Sequence, residues 1–162
     1  MDKMPIAVIL QGIPETILLF MFGVAIIGEY INFKKILIIS IIYPFVIMFI
    51  RSLIPNSLFG LHIVFALIII NLIFWKVLNF NFKKSFISAI TSLSFLILLE
   101  ILVNPILYNI FNTSLARLLQ NENLQRLFFS LPVTILYALI TFILYKFKWS
   151  LIRGKRTIEN DC

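Results

Sequence analysis

The sequence predicts an all-α, polytopic transmembrane helical bundle of about five spans, with the N-terminus outside and the C-terminus in the cytoplasm. Three observations carry that prediction. First, 61% of the 162 residues are apolar and only 13% are charged, too little polar surface to cover a water-soluble domain. Second, the apolar residues fall in runs of about 20, the length a helix needs to cross a hydrocarbon core about 30 Å thick. Third, the Lys and Arg residues collect in alternate connections between those runs.

The first run, 5–28 (PIAVILQGIPETILLFMFGVAIIG), lacks a charged leader region and an A-x-A cleavage site, so it is expected to be a retained helix. The second, 35–54, reads KILIISIIYPFVIMFIRSLI, and the third, 58–78, reads LFGLHIVFALIIINLIFWKVL. The fourth, 85–110, begins SFISAITSLSFLILLEILVNPIL, and the fifth, 127–149, reads LFFSLPVTILYALITFILYKFKW. All five should be helical, because backbone exposed to lipid must satisfy its own hydrogen bonds. The connection between the last two is longer than a turn. Its segment 112–126 places Leu115, Leu118 and Leu119 at helical spacing, with Arg117, Gln120 and Asn121 turned away. Capped by Thr113 or Ser114, it reads as a short helix on the outer surface, with an ordinary connector as the alternative. Residues 1–149 would then form the bundle and 150–162 a basic cytoplasmic tail.

Orientation follows from the basic residues. Lys34, Lys35, Lys76, Lys83, Lys84, Lys146, Lys148, Arg153, Lys155 and Arg156, ten of fourteen, fall on one side. Lys3, Arg51, Arg117 and Arg126 fall on the other. The ten-residue side is expected to be cytoplasmic, with Trp75 and Trp149 at its interface. The net charge of +7 is spread over short loops and the tail. That dispersal argues against nucleic acid, which needs a concentrated basic face, and for anionic membrane lipid as the partner.

The chemistry available is narrow. Cys162 is the lone cysteine, so no intrachain disulfide forms, and it does not sit four from the end as prenylation requires. It lies on the opposite side of the predicted membrane from His62, the lone histidine, so no thiolate–imidazole pair assembles. There is no H-E-x-x-H, no G-x-S-x-G and no Gly-rich phosphate loop. One histidine without paired cysteines gives no zinc site. Two carboxylates are a conceivable acid–base pair, but nothing positive points to one, and the expectation is a non-enzymatic protein without cofactor or metal.

Four ionisable residues nevertheless fall inside or beside the apolar runs, where a charge costs at least about 2.5 kcal/mol near mid-bilayer. At 1.5 Å per residue, Arg51 lies about 24 Å beyond Lys35, and Glu100 about 24 Å beyond Lys84. His62 lies about 21 Å before Lys76, and Glu15 about 21 Å before Glu29. Four residues from four helices therefore reach one layer of the outer half of the membrane. Gln11 sits one turn from Glu15 and Asn104 one turn from Glu100, giving each carboxylate an amide on its own face. Ser85, Ser88 and Ser92 recur at helical spacing, suited to close packing or interhelical hydrogen bonds. Pro14 and Gly12 weaken the helix near Glu15. Two readings stand: a polar pocket open to the outside, or an ion pair between Arg51 and Glu15 or Glu100 that holds the bundle, Arg51 snorkelling outward. As the lone histidine, the residue type that serves as a switch near physiological pH, His62 is a candidate pH-sensitive element of such a pocket.

These residues also carry a resemblance. GIPETILLFMFGVAIIGEYINFKKILII followed by IRSLIPNSLFGLHIV resembles the membrane sensor region of Gram-positive GHKL-type sensor histidine kinases, over residues 10–105. The matching positions are Pro14, Glu15, Lys34, Lys35, Ile50, Arg51, Pro55, Phe59, Gly60, Leu61 and His62, with Glu100 in a later LLLE. Those kinases continue inward with a phosphoacceptor histidine and an ATP-binding domain, which are not in this sequence. The resemblance therefore implies a sensor-like module that acts through another protein, such as a cytoplasmic signalling protein. The alternative is a small substrate-binding subunit of a transporter working with a separate ATPase, although no inverted repeat supports a self-sufficient carrier. An immunity or lipid-interacting protein ranks third. Self-association into a homo-oligomer is compatible with each.

Overall fold

The computed structural model describes residues 11–29, 33–53, 61–110, 124–147, 149–150 and 154–155. Among these residues the fold is all-α apart from one short strand pair. The helices are α1 (Ile13–Ile27), α2 (Phe33–Leu53), α3 (Leu61–Leu72), α4 (Phe82–Ile110) and α5 (Leu124–Lys146). The end of α3 widens into a π-helical turn, Ile73–Val77. Strands β1 (Trp149–Ser150) and β2 (Gly154–Lys155) pair antiparallel.

Each helix boundary has a local cause. Pro14 falls in the first turn of α1, where its missing N–H costs little, and the Thr16 hydroxyl donates to the Gly12 carbonyl at 2.5 Å. Gly28 ends α1 in the left-handed conformation (φ 75°), its N–H closing on Ala25 O at 3.1 Å, a φ at which a side chain would be strained. Between α3 and α4 the chain turns through Asn79 at φ 58°. Leu78 is buried there, and the Phe80 ring stacks on Phe74 at 5.8 Å, so both anchor the turn to the core.

Among the described residues two helices are long and apolar enough to cross a membrane, Phe33–Leu53 and Phe82–Leu107. The apolar helical stretches Ile13–Ile27, Leu61–Val77 and Ser130–Lys146 are shorter. Helix α1 is the hub: it packs against α2, α4 and α5, while α3 rests on α2 and α4. Burial follows this plan. Leu19, Phe20, Phe22 and the run Val24–Ile27 are buried on α1, which contributes none of the exposed large apolar side chains among the described residues. Those come from the outer helices, including Ile38, Ile42 and Phe49 on α2, Ile101 and Ile106 on α4, and Phe142 on α5.

Small polar residues share the interior with the apolar and aromatic core. Ser40, Ser85, Ser88 and Ser92 are fully buried while isoleucines and phenylalanines face outward. In lipid, apolar surface gains nothing by being buried, so helices associate through small residues and interhelical hydrogen bonds. The structure contains both. Ser85 Oγ donates to Asn71 O at 2.7 Å, and Tyr137 Oη donates to Ser92 O at 3.2 Å. Gly23 lets α4 and the π turn approach α1: a Cβ there would lie 2.4 Å from Phe74 Cζ and 2.6 Å from Ser88 Oγ. Around this contact Phe20 sets its edge against Tyr43 and Phe74, and Phe22 stacks on Phe95 at 4.8 Å.

The helix bounds fall within a few residues of the approximate spans. The second helix begins at Phe33 and ends at Leu53. The fourth opens at Phe82, with Lys84 in its first turn held by Glu29 at 2.5 Å. The third run is described as helical only from Leu61, and its last turn is π, not α. The fifth helix runs three residues earlier than expected at both ends, Leu124–Lys146 in place of 127–149. Trp149 is therefore strand, not helix, and the segment expected to be a plain basic tail contributes Gly154–Lys155 to the pairing. Residues 124–126, expected in the surface segment, open α5. Residues 5–10, and 112–123 with Leu115, Leu118 and Leu119, lie outside the described residues.

Candidate functional site

The site is built from the end of the bundle away from most of the lysines. Lys34 and Lys35 open α2, Lys76 lies in the π turn after α3, Lys83 and Lys84 open α4, and Lys146 ends α5. The Glu29–Lys84 ion pair locks the end of α1 level with the start of α4. From that rung Glu15 lies fourteen residues back along α1 and Glu100 sixteen residues on along α4. The contacts of Gly23 with Ser88 and of Phe22 with Phe95 show the two helices running antiparallel, so Glu15 and Glu100 both lie toward the end opposite this ion pair.

Glu15 sits half-buried in the first turn of α1, where the helix dipole favours a carboxylate. Arg51 is exposed in the last turn of α2, where a cation is favoured. Tyr43 on α2 and Tyr137 on α5 both pack on α1, against the rings of Phe20 and Phe22 respectively. Tyr137 is fully buried and anchored by its bond to the Ser92 carbonyl. Glu15, Arg51, His62 and Glu100 all have interaction partners.

The structure places Glu15 in the first turn of α1, Arg51 in the last turn of α2, and Glu100 and Asn104 in the later half of α4. Gln11, Glu100 and Asn104 are half-buried. His62 is half-buried in the first turn of α3, at the same end of the bundle as Arg51. Among the described residues no three His, Cys, Asp or Glu side chains gather as metal ligands. Glu15 and Arg51 supply a carboxylate and a guanidinium at one end of the bundle, the acceptor and donor types that a polar ligand needs.

Sequence reasoning missed both tyrosines. The available signal was a phenol within each of two apolar runs, IIYPF and ILYAL, since a buried tyrosine hydroxyl usually finds a partner. The chain matches no protein-family model, no curated protein and no solved structure.

Proposed function

We propose that the chain is a multi-pass cell-membrane protein of five spans, N-terminus outside, that works as a non-enzymatic sensor-like or regulatory subunit. A small ligand, peptide or lipid headgroup binds at its outer face among Glu15, Arg51, Glu100 and His62, with the amides of Gln11 and Asn104 beside the carboxylates. The outward apolar faces of α2 to α5 support the lipid setting. The lysines at the opposite end support the orientation.

The observation that carries the reading is the position of Glu15. It stands in the first turn of the helix that touches α2, α4 and α5. A ligand that prefers one arrangement of this group shifts α1 against three helices at once. The shift is limited by the ligand's differential affinity for the two arrangements. The change then reaches the basic end through the Glu29–Lys84 contact and is read by a cytoplasmic partner, in keeping with the resemblance to kinase sensor regions.

The test is crosslinking in native membranes followed by mild solubilisation and mass spectrometry, for wild type, Glu15→Gln and Arg51→Gln. Recovery of a histidine kinase or response regulator, reduced in both variants, is the expected result. Recovery of a transport ATPase would replace this reading with a substrate-binding transporter subunit. Recovery of neither protein would overturn action through a partner.

A further inference from the structure

The turn joining the π segment to α4 is a built surface that the proposed outer site does not use. Its floor is fixed: Leu78 N–H donates to Ile73 O and Phe80 N–H to Phe74 O, each at 3.0 Å, and Ser85 N–H donates to Asn81 O at 2.9 Å. Above this floor Lys76 Nζ lies 3.9 Å over the Trp75 ring. Trp75 meets Phe82 edge-on at 5.7 Å, and Phe82 stacks on Phe86 at 6.3 Å. Phe82, Phe86 and Ile90 follow at one-turn spacing on α4 and are 58%, 46% and 38% exposed. Lys76 and Lys83 are both exposed at the head of this ladder. Glu29, at the same end, is engaged by Lys84.

We propose that this surface is a binding site for one anionic phospholipid, its phosphate held by Lys76 and Lys83 and one acyl chain lying along Trp75, Phe82, Phe86 and Ile90. The chemistry is complementary along its length. Two ammonium groups cap an apolar ladder that runs away from them down α4, matching a charged headgroup that continues into a hydrocarbon chain. The indole, with a polar N–H and an apolar body, suits the boundary between the two. Stacking between rings and the pinned turn hold the surface in shape before the lipid arrives, which lowers the ordering cost of binding. The inference is independent of the outer site and of its ligand.

The test uses the full chain in phosphatidylcholine nanodiscs, with phosphatidylglycerol carrying brominated acyl chains titrated in. A Trp149→Phe background leaves Trp75 as the one tryptophan. Phosphatidylglycerol is expected to quench Trp75 saturably, and brominated phosphatidylcholine only in proportion to its mole fraction. Each lysine near an anionic surface is worth roughly fivefold in affinity, so Lys76→Gln/Lys83→Gln should weaken the saturable phase by about 25-fold, while Lys146→Gln leaves it unchanged. Equal quenching by both lipids, or an unchanged curve in the double variant, would overturn the proposal. So would displacement of the lipid by millimolar glycerol phosphate, which would make the site one for free phosphate. Both substitutions lie on exposed side chains, so a loss of quenching with unchanged helical circular dichroism reports binding, not folding.

Discussion

Gly23→Ala tests the packing of the hub helix. The added methyl carbon would lie 2.4 Å from Phe74 Cζ and 2.6 Å from Ser88 Oγ, with a third contact at 3.1 Å to Phe74 Cε2. Relief by rotating Phe74 is obstructed, because that ring is fully buried between Phe20 and Phe80. Either α1 must move away from α4 or the ring must leave its rotamer, and overpacking of this kind costs about 1–3 kcal/mol. The assay is unfolding of the purified protein by SDS in mixed micelles, followed by circular dichroism, in a four-member cycle with Phe74→Leu. Phe74→Leu alone should cost about 1–2 kcal/mol through the space it opens. The double variant fills part of that space with the new methyl, so it should be less destabilised than the two single effects together, by about 1 kcal/mol or more. If Gly23→Ala stays within about 0.5 kcal/mol of wild type, or the cycle is additive, the close approach of α1, α4 and the π turn is refuted.

Four further predictions use the same assay. Ser85→Ala should cost about 1 kcal/mol by removing its bond to Asn71 O. Ser88→Ala should be neutral or slightly stabilising, because the fully buried Ser88 hydroxyl has no hydrogen-bond partner to lose. Lys84→Gln should cost no more than about 1 kcal/mol, shrinking as salt is raised, since both members of its ion pair keep partial exposure, 24% and 30%. Glu15→Gln and Arg51→Gln, in the first turn of α1 and the last turn of α2, should show a coupling of about 0.5 kcal/mol or more in a double-mutant cycle, and additivity would separate them.

How much of this was legible in the sequence depends on which force sets each feature. Helix existence was legible, because run length and apolarity fix it. The serine stripe on α4 was legible too, since its period matches the helix and small residues let helices approach. Boundaries were legible only to within a few residues. Lys84 is held by Glu29 on a distant segment, and no local pattern encodes that partner. The π turn at Ile73–Val77 likewise follows from tertiary contacts, with Phe74 and Leu78 both drawn into the core. The charged residues Glu15, Arg51 and Glu100 announced themselves because a charge stands out within an apolar run. Tyr43 and Tyr137 did not, because a phenol among isoleucines reads as one more aromatic until its neighbours are known. The hub role of α1 was equally hidden: its sequence is as apolar as its neighbours', and only the packing shows that it is enclosed by them.

The central claim is that the Glu15–Arg51 end of the bundle faces outward and the lysine-rich end faces the cytoplasm. Its most direct test is labelling of intact cells with a membrane-impermeant maleimide, using Arg51→Cys and Lys83→Cys, each in a Cys162→Ser background. The account predicts labelling at position 51 in intact cells and at position 83 only after permeabilisation. Labelling at 83 and protection at 51 in intact cells would invert the bundle, place Glu15 and Arg51 at the cytoplasmic end, and contradict an outward-facing site.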